Sequence, residues 1–250
     1  MTAPRPGRLD GLLLILGVLV LWQALFAYAG SVAITPPWPT LAYVAELFGT
    51  AMFWGHFGAT MLAFAWAVAI SALLGLALGL LLGLSRFAGD VAEPILAALY
   101  TIPKVTLYPV MLLVFGLGLS AKIAFGVIHG LVPIVLFTLA AVKTMPPVLL
   151  RTARSLRLTP WQTIATVLAP AILPEIASGL RVGFSLCLLG VLIGEMFSSQ
   201  RGLGFLIING INAHNVRMTT AVTVIVVAFA LASNSLMLWI DRRLQHRSSP

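Results

Sequence analysis

Carboxylates are scarce in this chain. Aspartate and glutamate number 7 among 250 residues, against 15 lysines and arginines. Charged residues make up 9% of the sequence and apolar ones 60%. Soluble domains carry about 25% charge, so a soluble fold is excluded and the chain is read as an integral membrane protein. Its mean hydropathy of +1.04 agrees. There is a single cysteine, Cys187. A disulfide within the chain is therefore excluded, and a cysteine inside an apolar run is expected to serve as a small packing residue. His56, His129, His214 and His246 are scattered, without metal-ligand spacing. The patterns GxxxxGK[ST], HExxH and GxSxG are absent. Hydrolysis of ATP by a P-loop, zinc peptidase chemistry and a nucleophile elbow thus have no residues to carry them.

What is present is a series of long apolar runs. Spans are predicted over about residues 11–30, 57–85, 94–118, 122–142, 176–197 and 218–240, each near the roughly 20 residues that a bilayer requires. Together they form one transmembrane domain over 11–242, with tails at 1–10 and 243–250. The first run also resembles a signal peptide, since Arg5 and Arg8 precede it and Ala27-Tyr28-Ala29 looks like a cleavage site. It exceeds the usual apolar core of such a peptide, which favours a retained span. The run 57–85 is longer than a bilayer needs and is expected to tilt or protrude. Glycines recur at four-residue spacing at Gly75, Gly79 and Gly83, at Gly126 and Gly130, and at Gly190 and Gly194. That spacing lets helix backbones approach closely.

The net charge of +8 sits in short loops and tails, which argues for membrane topology and against a nucleic-acid partner. Six spans with an internal N-terminus place Arg5, Arg8, Arg86, Lys143, Arg151, Arg154, Arg157, Arg242, Arg243 and Arg247 inside. Lys122, Arg201 and Arg217 fall outside. This positive-inside bias puts both termini and the loop 143–175 in the cytoplasm.

That loop is the richest local pattern in the chain. Arg151, Arg154 and Arg157 recur every three residues, beside an apolar stripe of Leu150, Ala153 and Leu156. A break is predicted near Leu158. Thr159 is then an N-cap, Pro160 the first helical residue and Gln162 the partner in a capping box. The second short helix is expected to end near Ala169 against Pro170 and Pro174. Two short helices in a basic loop make a docking surface for something outside the membrane.

Lys104, Arg181 and Glu195 fall within or at the edge of spans, where charge is costly. Two readings stay open. Arg181 snorkels to one interface and Glu195 reaches the other, or Lys104 and Glu195 line a pathway. Pro103 frees a backbone carbonyl beside Lys104, and irregular backbone at membrane depth is tolerated only against protein or water. Pro103, Lys104 and Thr106 are therefore pathway candidates.

The 143–174 loop resembles the signature loop of permease subunits of bacterial ABC importers, whose pattern is E-A-A, three residues, G, nine residues, I-x-L-P. Here the register falls on Arg151-Thr152-Ala153, Arg157 and Val167-Leu168-Ala169-Pro170, with arginine in place of Glu and of Gly. IPKVTLYPVMLLVFGLG at 102–118, LGLALGLLLGLSR at 74–86 and GLRVGFSLCLLGVLIGEMFSSQRGLGFLI at 179–207 are similar to segments of the branch that moves sulfonates, taurine, nitrate and thiamine-pyrimidine precursors. Many relatives carry an arginine shortly after the position of Thr60-Met61, where this chain has Ala63, so no role of that charge is carried over.

The resemblance implies an all-α membrane protein of about six transmembrane helices, like a type I ABC importer permease with a cytoplasmic coupling helix. It implies location in the bacterial inner membrane and passage of a small nutrient from a periplasmic or lipid-anchored solute-binding protein. A second permease copy, or a homologous permease, would complete the pathway among membrane lipids. ATP and Mg would belong to separate ATPase subunits, leaving this chain without catalytic residues, cofactor or metal. Arg151, Ala153, Arg154, Arg157 and Trp161 would couple to the ATPase. The competing reading is a self-sufficient secondary transporter or channel. Such a protein needs no paired helix surface in a loop, and more often carries several titratable groups at the midplane.

Overall fold

The computed structural model describes residues 8–248. The side chains at 8, 9, 150, 160, 198 and 240–248 lie outside the described set, and so do the tail residues at either extreme. Expectations resting on Arg5, Arg8, Leu150, Arg242, Arg243 and Arg247 side chains fall there. Every regular element among the described residues is helical.

The first helix, α1 (Arg8–Ala29), is tied to the following segment by the Trp22 indole, which donates to the Thr35 carbonyl. Pro36 is extended, and Pro37 opens α2 (Pro37–Phe48) at the position where a missing N–H costs nothing. The Thr50 hydroxyl accepts from the Phe53 N–H and caps α3 (Ala51–Leu84). With 34 residues, α3 is about 51 Å long at 1.5 Å per residue, well beyond a hydrocarbon core of about 30 Å. Ser85 then caps α4 (Arg86–Thr101) by accepting from Ala88.

The predicted third span at 94–118 is not one straight helix. Pro103 forces Ile102 into extended backbone, with ψ 133°. A single 3-10 turn at Lys104–Leu107 leads into α5 (Tyr108–Phe115), and the two arms meet at 87°. Gly116 and Gly118 carry the chain into α6 (Leu119–Lys143).

The register between α3 and α6 settles what the bent pair does. Gly75 faces Ile134, Gly79 faces Thr138 and Gly83 faces Val142. The offset is constant, so the two helices run parallel. A Cβ on Gly79 would come within 2.5 Å of the Thr138 Cβ, which is why the contact needs glycine. Parallel neighbours demand that residues 85–118 return across the membrane. The bent pair is a broken span. Asp90 and Glu93 reach Lys143 at one end of α6, and the Phe115 carbonyl accepts from Ser120 at the other.

The basic loop 143–175 forms α7 (Pro147–Ser155) and α8 (Pro160–Thr163). A single π turn at Ile164–Leu168 joins α8 to α9 (Ala169–Ser198). The expected stop at Ala169 does not occur. In the π turn the Ala169 N–H donates five residues back to Ile164, so Pro170 enters at a first-turn position where its missing N–H is harmless. Pro174 is carried inside the helix, and its carbonyl accepts from the Ser178 hydroxyl. The chain ends with α10 (Leu203–Asn212), a short apolar helix within the segment read only as an outward loop, and α11 (Val216–Ser248).

α9 packs antiparallel on α6 through small residues. Gly126 meets Val191, Gly183 meets Ile134 and Gly194 meets Lys122. Cys187 is fully buried at this crossing, with its thiol 3.4 Å from the Ser71 hydroxyl. One apolar cluster holds α3 to α9 around Ala63, Phe64, Ala67 and Val191. A second gathers Leu47, Phe53, Leu203, Leu206 and Val222 from α2, α3, α10 and α11. Among the described residues five helices are long and apolar enough to cross a membrane, and the broken pair makes six.

Candidate functional site

The residues singled out in the sequence separate into three places along α6. Glu195 lies at the Lys122 end, the Pro103 break at mid-length, and the basic helix pair beyond the Lys143 end.

At the Lys122 end, Glu195 has no exposed surface. The Thr60 hydroxyl donates to its carboxylate, lying 2.9 and 3.0 Å from the two oxygens. The Gly204 N–H donates to Oε2 at 3.0 Å, and the Lys122 ammonium stands 3.7 Å from Oε1. Around this knot, Leu203 N–H donates to Thr60 Oγ1 and Gly202 N–H to His56 Nδ1. Lys122 Nζ donates to the Arg201 carbonyl at 2.7 Å. The first three N–H groups at the α10 terminus have no carbonyl partner within their own helix. Here three side chains from α3 and α9 supply them, and the carboxylate also meets the positive end of the helix dipole. Gly202 has φ +126° and a Cβ there would collide with the Glu195 carboxylate, so both backbone and space require glycine. Glu195 therefore faces a closed polar knot rather than an open passage. His56, Thr60, Lys122, Gly202 and Gly204 were not singled out from sequence. The only sequence trace was the resemblance block that holds Glu195, Gly202 and Gly204.

At mid-length, the broken span leaves the last carbonyls of α4 without helical partners. Polar side chains take up two of them. Thr101 Oγ1 donates to Ala98 at 2.8 Å and Lys104 Nζ to Tyr100 at 3.1 Å, while beyond α4 Thr106 Oγ1 donates to Pro103 at 2.7 Å. The ammonium also stands 5.1 Å from the centre of the Tyr100 ring, within cation–π range. Among the described residues no carboxylate pairs with Lys104. It is the polar member of a cavity of about 310 Å³ lined otherwise by apolar side chains, among them Leu78, Leu99, Leu107, Ile128 and Val132. Ile128 and Val132 are the middle of α6, so the charge sits at half the depth of that span. Pro103 and Thr106 are exposed beside it. Half-helix ends at the midplane are where transport proteins commonly bind solute or ions.

Beyond the Lys143 end, the capping box is formed as the sequence indicates. Thr159 N–H donates to Gln162 Oε1 at 2.9 Å, and Gln162 N–H to Thr159 Oγ1 at 3.3 Å. Arg151, Arg154 and Arg157 are exposed, and so is Trp161 at 75%. Ala153 is different. It is 2% exposed within the chain itself, on an arm that packs against the π turn. Its methyl group packs inside the helix pair, so any part it has in coupling is to hold that pair together. Leu156, expected on the same apolar stripe, is 67% exposed.

Residues 72–247 match the family model described as binding-protein-dependent transport system inner membrane component. A probable ABC transporter permease protein of Haemophilus influenzae is 31% identical over 233 residues, spanning 92% of this chain and 95% of the relative. The taurine transport system permease protein TauC of Escherichia coli is 31% identical over 160 residues, 64% of this chain and 58% of its own. Among solved structures, an inward-facing form of the MetNI methionine ABC transporter superposes with a TM-score of 0.62 at 19% identity, over 77% of this chain and 97% of the other. An amino acid ABC transporter gives 0.63 at 19% identity, over 84% and 100%. These two share the fold. The sequence relatives are transport permeases rather than enzymes. Six apolar crossings, one of them broken at mid-depth, together with the match over most of the chain, show that it belongs to the binding-protein-dependent transport system inner membrane components, as a permease subunit of an ABC importer.

Proposed function

We propose that the chain is one of a pair of permeases that pass a small nutrient inward. A solute-binding protein delivers the nutrient, and ATPase subunits drive the step. The observation that carries this reading is the basic helix pair 147–163. It is fixed at the break by hydrogen bonds on both sides, stands at one end of the spans and presents Arg151, Arg154, Arg157 and Trp161 outward. A rigid, exposed, arginine-bearing surface suits a protein partner, and the family's inner-membrane permeases work with one. The positive-inside count supports a cytoplasmic side for this surface and both termini. The α10 end then faces the binding protein.

The solute class we propose is the sulfonate, taurine, nitrate or thiamine-precursor type. Named relatives carry taurine, aliphatic sulfonates and nitrate, and the mid-depth ammonium of Lys104 favours an anion. Pro103, Lys104 and Thr106 line the passage, while Glu195 serves the α10 knot.

The test is reconstitution of this chain with the ATPase and binding protein encoded beside it. A solute of this class, with its binding protein, should stimulate ATP hydrolysis. Hydrolysis indifferent to every such solute would sink the substrate reading. Solute flux without any ATPase subunit would sink the importer reading. For the passage, a cysteine at Lys104 or Thr106 in a Cys187→Ser background should react with a small water-soluble thiol reagent, and its reactivity should change when ATP is trapped. Inertness at both 104 and 106 in every state would count against the passage.

A further inference from the structure

Arg157 occupies a position that backbone geometry reserves for glycine. α7 closes with a Schellman turn, in which the Leu158 N–H donates to the Ala153 carbonyl and the Arg157 N–H to the Arg154 carbonyl, both at 3.0 Å. The residue that reverses the chain in such a turn is left-handed and is usually glycine. Arg157 has φ +50°. An L side chain there crowds its Cβ against the following carbonyl, and glycine would not.

The guanidinium gains nothing from its own chain in return. Arg157 is exposed, and among the described residues no carboxylate or carbonyl engages its side chain. Backbone strain of this kind persists mainly where function needs it. The surroundings indicate what it needs. The turn is locked by the two Schellman bonds on one side and by the Thr159–Gln162 capping box on the other. It therefore fixes the direction in which the arginine leaves the backbone, between Leu156 at 67% exposure and Trp161 at 75%. A lipid surface would not require a strained backbone and would accept a cation on any turn. A planar fork rooted on a fixed turn between two large apolar anchors suits a carboxylate in a shaped protein cleft.

We infer that Arg157 is a partner-specificity residue: its guanidinium meets a carboxylate in the cleft of the ATPase subunit that receives the 147–163 helix pair. The inference rests on the coupling reading above, and names the chemistry that the partner's cleft must carry.

The experiment compares R157G, R157A and W161A in the purified permease, measuring thermal stability and association with the ATPase encoded beside it. Glycine relieves the turn, so R157G should melt at the same temperature or higher. Alanine keeps the strain. Both should nevertheless bind the ATPase about tenfold more weakly, the loss expected for one charge-assisted hydrogen bond. Both should also show a flatter dependence on salt than the parent. Association that follows stability, with R157G binding as well as or better than the parent, would overturn the inference. So would normal binding of R157G accompanied by a changed dependence on anionic lipid. W161A separates the two levels of argument. If W161A binds weakly and R157G normally, only the role of Arg157 falls. If both bind normally, the coupling reading falls with it.

Discussion

The two ends of the α6 axis use polar residues in opposite ways. At the Lys122 end, His56, Glu195, Thr60, Lys122 and three backbone N–H groups of the α10 terminus satisfy one another, with Glu195 and Thr60 fully buried. At the Lys143 end, Arg151, Arg154 and Arg157 stand exposed, and their helix pair is fixed by backbone and capping hydrogen bonds rather than by those charges. A buried charge that is fully hydrogen-bonded specifies its own chain's geometry, and removing one partner strands the others. An exposed charge contributes little to its own fold and remains available to a partner. Polarity inside a mostly apolar chain is thus informative only once its neighbours are known.

The comparison breaks most sharply at Glu195. Replacing it with alanine leaves the Lys122 ammonium without its carboxylate and removes the acceptor of the Gly204 N–H. Loss of one partner from a buried pair commonly costs about 3–5 kcal/mol. Glu195→Ala should therefore lower the melting temperature of the detergent-solubilised protein strongly or prevent its accumulation in the membrane. Glu195→Gln, which keeps an acceptor for Thr60 and Gly204, should lose less. Equal stability of Glu195→Ala and the parent would mean that the knot does not hold α10.

An intermediate effect of a different kind is expected at Ala153. Forcing bulk into a packed contact costs about 1–3 kcal/mol, and here the strained contact lies within the helix pair, away from the spans. Ala153→Trp should insert and melt nearly as the parent does while losing ATPase association. Circular dichroism and co-purification check the two halves. A global loss of stability comparable to that of Glu195→Ala would show that the loop is part of the core, and would erase the contrast between the ends.

How much of this was legible in the sequence depends on the range of each interaction. The capping box is local, with Thr159 and Gln162 three residues apart, and it was read directly. Long apolar runs announce spans because every residue reports the same environment. The broken span was half legible. Pro103 marked a break, but its depth follows only from the parallel register of α3 with α6. Continuation of α9 through Pro170 was not legible, because the π turn that shifts the hydrogen bonds leaves no composition signal. The Glu195 knot was the least accessible. Its Thr60 partner is 135 residues away, and periodicity carries no information across such a separation. Ala153 was placed on the correct helix, but its burial within the pair was not legible, since pattern alone cannot tell an internal contact from an external one.

The smallest effect sharpens the comparison within one end of the molecule. Arg217 lies at the same end as Glu195, with Nη2 3.1 Å from both Glu46 carboxylate oxygens and its guanidinium 4.2 Å from the centre of the Tyr43 ring. Its contact list is as rich as that of Lys122. What differs is exposure, since the side chains of Arg217 and Glu46 are 50% and 61% accessible. Water and salt screen such a pair, and its net worth is about 0–1 kcal/mol. If burial, rather than the presence of charge, decides the energetics, Arg217→Ala should shift the melting temperature only slightly, and the shift should shrink further at high ionic strength. The loss from Glu195→Ala should persist at that ionic strength, because ions do not reach the knot. The decisive measurement is the melting temperature of both variants and the parent at low and high salt. A salt-resistant loss in Arg217→Ala as large as that of Glu195→Ala would mean that α2 and α11 are clamped by this pair. Contact geometry, and not burial, would then be the quantity that separates the two ends.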